Sequence, residues 1–196
     1  SAQGFDFTAS GGSMLGPFAA NGQILLPRGQ GAVIDIARLS AGGTTARGRL
    51  AVAAGGLAGQ LLIAGGGLDG SVVLSVPRGI QRAVVDLTAR DAHFAGPPPL
   101  SIARGRVNAT LLLDPHGTDV EATFEATGLQ RGTLSIARMA GNAHLIDGIG
   151  TVRASVAGAR GRDFTFQSVI DVTRNSYTLR GSGTLERQPL RLARPL

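Results

Sequence analysis

One pentapeptide occurs twice in this chain and constrains it more than any other feature. Leu100-Ser101-Ile102-Ala103-Arg104 returns as Leu134-Ser135-Ile136-Ala137-Arg138, and Asn-Ala-x-Leu follows each copy, at 108–111 and 142–145. Eight of the twelve positions from Leu100 are identical to those 34 residues later. Ile34-Asp35-Ile36-Ala37-Arg38 is a weaker third echo. Self-similarity at a fixed period of this size marks stacked supersecondary units that share one continuous apolar surface. A 34-residue period accommodates two strands of about 10–13 residues with their turns, which returns the chain to the same direction and the same face. A second repeat agrees: Pro27-Arg28-Gly29 precedes Ala32-Val33-Ile34-Asp35 as Pro77-Arg78-Gly79 precedes Ala83-Val84-Val85-Asp86.

The local pattern identifies the unit as a strand. Val107, Ala109, Leu111 and Leu113 share a face, and Asp114-Pro115-His116-Gly117 makes a turn. Val120, Ala122, Phe124 and Ala126 then oppose Glu121, Thr123, Glu125 and Thr127, a hairpin with one apolar and one wet face. Phe164, Phe166, Ile170 and Val172 oppose Asp163, Thr165, Gln167, Asp171 and Thr173, and Asn175-Ser176 turns the chain onward. Shorter strands are expected at 23–26, 32–39, 47–53, 57–64 and 68–76, each bounded by glycine or proline. At the N-terminus, alternation of Phe5 and Phe7 is expected to break at Gly11-Gly12 and Gly16-Pro17. Residues 80–94 fit a strand with Ala83, Val85, Leu87 and Ala89 on one face, and also a helical stripe; the β-rich repeat partner favours the strand. Pro97-Pro98-Pro99 cannot donate to a ladder and marks a connection or sheet edge, with a sub-boundary near 95–100 inside an otherwise single unit of residues 1–196. Strict alternation along the repeated pentapeptide puts Leu and Ile on one face, with Arg104 and Arg138 beside them at a strand end or rim, where a guanidinium reaches water or a headgroup.

These elements predict an all-β chain with little helix, a long antiparallel meander. Thirty glycines and only eight aromatic residues agree with short strands and many turns. Apolar burial is worth about 25 cal/mol per Å², yet no amphipathic helix is available to cover the sheet. Such a sheet closes into a barrel, folds into a two-layer sandwich, or curls into an open trough whose lining meets a ligand.

Candidate chemistry is sparse. Gly65-x-Gly67-x-x-Gly70 matches a dinucleotide fingerprint, but residues 71–76 alternate as a strand, so no helix N-terminus is there to hold a pyrophosphate. His93, His116 and His144 are the only histidines, and none stands at metal-ligand spacing from another. Ser182 lacks the Gly-x-Ser-x-Gly elbow, and Asp114 and Asp119 are ordinary acidic turn residues unless a cation sits between them. No catalytic constellation, metal site or cofactor is expected. Cysteine is absent, which excludes disulfides and thiolate-bound metal.

All nineteen basic residues are arginine, which reads as coding bias of a GC-rich bacterium. Residues 1–150 carry 11 Arg against 10 acids, and residues 151–196 carry 8 against 3, so the excess lies at the C-terminal end. A basic end suits anionic headgroups or nucleic acid, or else simply solvates strand surfaces and edges. No aromatic residues interleave with these arginines to stack bases, so no nucleic-acid partner is expected. Residues 1–7 have neither the basic nor the apolar region of a secretory signal. Residues 50–68 are uncharged, but six glycines and Gln60 make two strands around turns the better reading than a spanning helix.

With these features the chain resembles the TamB family of the AsmA-like superfamily, large proteins of diderm bacteria. The resemblance lies in glycine-spaced strands such as Arg47-Gly48-Arg49-Leu50-Ala51-Val52 and in the repeated Leu-Ser-Ile-Ala-Arg. It lies also in Leu179-Arg180-Gly181-Ser182-Gly183-Thr184-Leu185 followed by Pro189-Leu190-Arg191-Leu192. It implies an elongated, U-shaped, β-taco-like sheet within a periplasmic segment of an inner-membrane-anchored protein, joined to flanking β-repeat segments of the same chain. It further implies an apolar trough that shields phospholipid acyl chains on the way to the outer membrane, and an Omp85-type outer-membrane barrel as partner. Links to protein secretion and outer-membrane protein assembly follow from the same resemblance, and the family has no catalytic motif to carry over. The expected lining is Val72, Leu74, Leu111, Leu113, Val120, Phe124, Phe164, Phe166, Ile170 and Val172. An ordinary closed core would use the same residues. The alternatives are an adhesin or autotransporter passenger, built as a β-solenoid, and a β-sandwich binding module.

Overall fold

The computed structural model describes residues 3–13, 16–94, 99–115, 117–159, 161–186 and 188–192. Fourteen strands make one sheet: β1 (Gln3–Ser13), β2 (Gly16–Leu26), β3 (Val33–Ala41), β4 (Thr44–Ala53), β5 (Gly56–Gly65), β6 (Leu68–Ser75), β7 (Gln81–Phe94), β8 (Leu100–Asp114), β9 (Gly117–Arg131), β10 (Leu134–Ile146), β11 (Ile149–Ala159), β12 (Asp163–Val172), β13 (Tyr177–Leu185) and β14 (Gln188–Leu192). Their spatial order is their sequence order, and every neighbouring pair is antiparallel. β1 and β14 do not meet, so the sheet is elongated and curved rather than closed into a barrel. Fourteen strands at roughly 4.8 Å spacing span about 60 Å. Only one 3-10 turn, Pro77–Gly79, interrupts the strands among the described residues.

The two sequence repeats have distinct structural meanings. In both Pro-Arg-Gly turns the residue after glycine donates its N–H to the proline carbonyl, Gln30 to Pro27 and Ile80 to Pro77, so the same tight turn is used twice. The 34-residue repeat places β8 and β10 on either side of β9, in the same direction.

The pentapeptide itself encodes a bulge. Ile102 pairs with Ala92 and Leu129, and Arg104 pairs with Arg90 and Thr127, leaving Ala103 unpaired opposite Asp91 and Gly128. Ala137 is skipped in the same way between Ile136 and Arg138, and Ala37 between Ile36 and Arg38. Asp91 (φ 47°) and Gly128 (φ 62°) carry left-handed backbone on this line. β7 to β10 each skip one residue on this line and so stay in register with one another, and the register shifts only against β11, between Ile136 and Arg138. The skipped residue reverses the phase of alternation, so Ile102 and Gly105 share a face although three residues apart. A Cβ built on Gly105 would lie 3.5 Å from Ile102 Cγ2. The strict alternation expected for the pentapeptide therefore fails at its fourth residue.

Other boundaries also shift. β1 runs straight through Gly11-Gly12, and β2 begins at Gly16 and includes Pro17, so the expected break is absent. Phe18 pairs with Gly11 and fills the space a side chain would occupy there, its ring 2.8 Å from the site of a Cβ. Residues 81–94 are a strand, as expected, and residues 50–68 are strand and turn rather than a spanning helix, with parts of three strands around two turns where two strands were expected. Of the triple proline, Pro97 and Pro98 lie outside the described residues; β7 and β8 pair on either side of them, Phe94 with Leu100.

The sheet has local irregularities around β6. β6 is shorter than its neighbours, and beyond its end Gln81 on β7 reaches β5 directly. Its Oε1 accepts from Leu57 N at 2.7 Å and its Nε2 donates to Leu57 O at 3.0 Å, reproducing a backbone ladder across the missing residues. Gly70 (φ 147°) brings β6 so close to β7 that a Cβ would lie 2.0 Å from Asp86 O, a backbone approach closed to other residues.

Candidate functional site: an open apolar face

Directly paired residues in an antiparallel ladder project to the same side, so register alone assigns the faces. One unbroken row runs Val72, Val85, Ala109, Ala122, Ala143, Val152, Ile170, Leu179 from β6 to β13. The next runs Leu74, Ala83, Leu111, Val120, Leu145, Gly150, Val172. Phe124 stands in a row with Leu87, Val107 and Gly141; Phe166 with Val156, Met139 and Ala126; Phe164 with Gly158 and Ile136. Leu113 pairs with Gln81 and Thr118 on the same side. All ten residues expected to line a trough thus share one face. The face extends to residues not singled out from the sequence, among them Phe5, Phe7 and Phe18 on β1 and β2 and Leu61 and Ile63 on β5. The paired alternation of Phe5 with Phe7 and of Ile34 with Ile36 carried that signal.

This face is apolar and unusually flat in relief. Phe7 covers Gly22, Phe124 covers Gly141, Phe164 covers Gly158 and Phe166 covers Gly181, rings lying where side chains would otherwise stand. Among the described residues no charged side chain occupies a mid-strand position on it; Arg131 stands at the last position of β9. Leu50, Ala89, Ala92 and Ala126 are the buried residues, and all four belong to this side, so the sheet curls toward it. Yet Phe5, Val107, Leu113 and Tyr177 on the same face remain 40–54% exposed. The total accessible surface is 12777 Å². A compact monomer of 19.9 kDa would expose about 8,700 Å². The apolar face is lined but not covered.

The opposite face is polar. Arg49 is paired with Asp35 at 2.7 Å, Arg106 with Asp86 at 3.7 Å, and Arg180 with Asp171, all at exposed positions where such pairs contribute little stability. Arg104 and Arg138 lie here, four positions into β8 and β10, rather than beside Ile102 and Ile136. The bulge carries them away from the apolar surface and from the rim position that alternation suggested. His144 faces Glu121 across β9 and β10, and His93 Nδ1 contacts its own strand at Asp91 O. His116 lies outside the described residues. Asp119 Oδ1 accepts from Asp147 N at 2.8 Å and so anchors the β10–β11 turn. No group of three or more His, Asp or Glu side chains gathers at metal-binding distance among the described residues. Among the described residues no helix is long and apolar enough to cross a membrane.

Compared with protein-family models, with curated proteins and with solved structures, the chain matches none.

Proposed function

We propose that this chain is a periplasmic segment of a TamB-like protein, anchored in the inner membrane of a diderm bacterium, whose apolar face carries phospholipid acyl chains toward the outer membrane. The observation that supports this most is the uncovered apolar face itself, free of mid-strand charge among the described residues and about 60 Å across in the direction of strand stacking. Acyl chains need a dry surface with no directional partners. Rows of Val, Leu, Ala and Phe over Gly offer contact without pockets, so a lipid slides along the rows rather than lodging at one of them. The segment acts as a conduit without catalysis, continuous with flanking β-repeat segments. An Omp85-type barrel at the outer membrane is the proposed partner, linking the conduit to protein secretion and outer-membrane protein assembly. An antiparallel meander is the geometry neither of a solenoid passenger nor of a two-layer sandwich, which favours the conduit over those alternatives. Native mass spectrometry of the purified chain tests the proposal. Phospholipid adducts that dissociate on collisional activation are expected; a lipid-free spectrum from a folded chain prepared without detergent contradicts it.

A further inference from the structure

The bulge line leaves a distinct row on the polar face. Arg90 stands directly opposite Arg104, Arg104 opposite Thr127, and Thr127 opposite Arg138. Three guanidiniums thus arise within four adjacent strands, about 15 Å. Like charges directly opposed in an antiparallel pair repel. None of the three side chains has a hydrogen-bonded or ion-paired partner among the described residues. The nearest acids in register are Asp91, on the bulge beside Arg90, and Glu125, one row away and directly opposite Arg106. Elsewhere on this face the arginines Arg49, Arg106 and Arg180 each meet a carboxylate.

The same row continues from Arg138 through Ala157 and Thr165 to Thr184. Here the polar face is hollow: Arg138, Ser155, Thr165, Gln167, Ser182 and Thr184, with Ala157 and Pro189 among the apolar residues beside them, line an open concavity of about 530 Å³. The third echo of the motif repeats the arrangement. Arg38 lines a hollow of about 500 Å³ together with Thr8, Ser10, Asn21 and Ser40. In both places the Ile-Ala-Arg bulge delivers an arginine to a concavity where hydroxyl and amide groups stand among small apolar residues, on the side away from the apolar rows.

We propose that the Arg104–Thr127–Arg138 strip binds the phosphate of a phosphate ester whose carrier bears hydroxyl groups, such as a glycerol or sugar phosphate. The phosphate sits between the two guanidiniums over Thr127, held by charge-assisted hydrogen bonds that also offset the repulsion of Arg104 by Arg90, and the polyol enters the hollow beside the hydroxyls of Ser155 and Thr165. The site is on the opposite face from the proposed acyl conduit and stands or falls independently of it. The ester is either a membrane lipid headgroup or a soluble metabolite.

Glycerol 3-phosphate titrated into the isotopically labelled chain, followed by amide and arginine side-chain NMR signals, tests the strip. Saturable shifts at Arg104, Thr127, Arg138 and Thr165 are expected. The double variant Arg104→Gln/Arg138→Gln should lose at least tenfold in affinity, while Arg153→Gln, on the same face, binds as the wild type. Sedimentation with phosphatidylglycerol vesicles against phosphatidylcholine vesicles separates the sources. Sedimentation that requires Arg104 and Arg138 places the phosphate on a lipid; soluble-ester binding without it places the phosphate on a metabolite. Shifts that follow every exposed arginine without saturating overturn the proposal, as does a folded double variant that keeps its affinity in both arms.

Discussion

Ile102 and Gly105, three residues apart on one strand, lie on the same face of the sheet, with Ala103 unpaired between them. That relationship explains why the pentapeptide is repeated. Each copy holds one apolar phase up to its isoleucine, inserts an alanine, and resumes with arginine turned outward. Without the insertion, either Arg104 or Ile102 would face the wrong side.

Deleting Ala137 removes the extra residue of β10. It forces Arg138 onto the apolar face or residues 134–136 off it, so a loss of about 2–4 kcal/mol is expected in chemical denaturation, the size of a buried-packing defect. Ala137→Ser keeps the bulge at an exposed position and should stay within about 0.5 kcal/mol of the parent. Equal stability of the deletion variant would show that the bulge does not set the faces.

Phe124 and Gly141 form a second dependent pair. A Cβ on Gly141 would lie 2.4 Å from the Phe124 ring and 2.4 Å from Arg153 O. Gly141→Ala should destabilise by about 1–3 kcal/mol through overpacking. At Gly12 a Cβ would meet nothing within 4 Å, so Gly12→Ala should be near neutral. Thermal unfolding of the two variants side by side checks both.

Gln81 supplies both hydrogen bonds that the backbone of Leu57 would otherwise lack beyond the end of β6. Gln81→Leu preserves volume but leaves that N–H and C=O unpaired, and should cost about 1–3 kcal/mol. Hydrogen exchange should localise the effect, with faster exchange at Leu57 N and little change in β10 to β13.

A charge placed in the trough separates an open lining from a closed core. Leu111→Asp and Phe124→Arg introduce charge on a surface that water reaches, so each variant should remain folded by circular dichroism while losing retained phospholipid. In a closed core the same substitutions would bury an unpaired charge and unfold the chain.

Much of this was legible in the residues. Period-two alternation marked the strands of the C-terminal half, and the ten expected lining residues do share a face, because directly paired positions keep phase wherever no bulge intervenes. Alternation failed at Ala103 and Ala137 because a bulge is a local exception to the period. Its trace is present in apolar positions three apart: Ile36 with Leu39, Ile136 with Met139. The N-terminal strands were underestimated because Gly11 and Gly12 read as a turn, whereas Phe18 on the next strand supplies the side-chain mass that Gly11 lacks. Openness was not legible, since alternation marks which residues share a face and carries no signal of whether that face closes on itself.

On the proposed function one face, and not hydrophobicity in general, carries lipid. Val107 and Leu113 on the apolar face are 40% and 46% exposed, and Val73 and Leu62 on the polar face are 39% and 46% exposed, which gives matched controls. A photo-crosslinking amino acid placed at each of the four positions, with phospholipid adducts read by mass spectrometry, measures the difference directly. Adducts at Val107 and Leu113 with few at Val73 and Leu62 are the predicted result; equal labelling of both faces, or none on either, would contradict it.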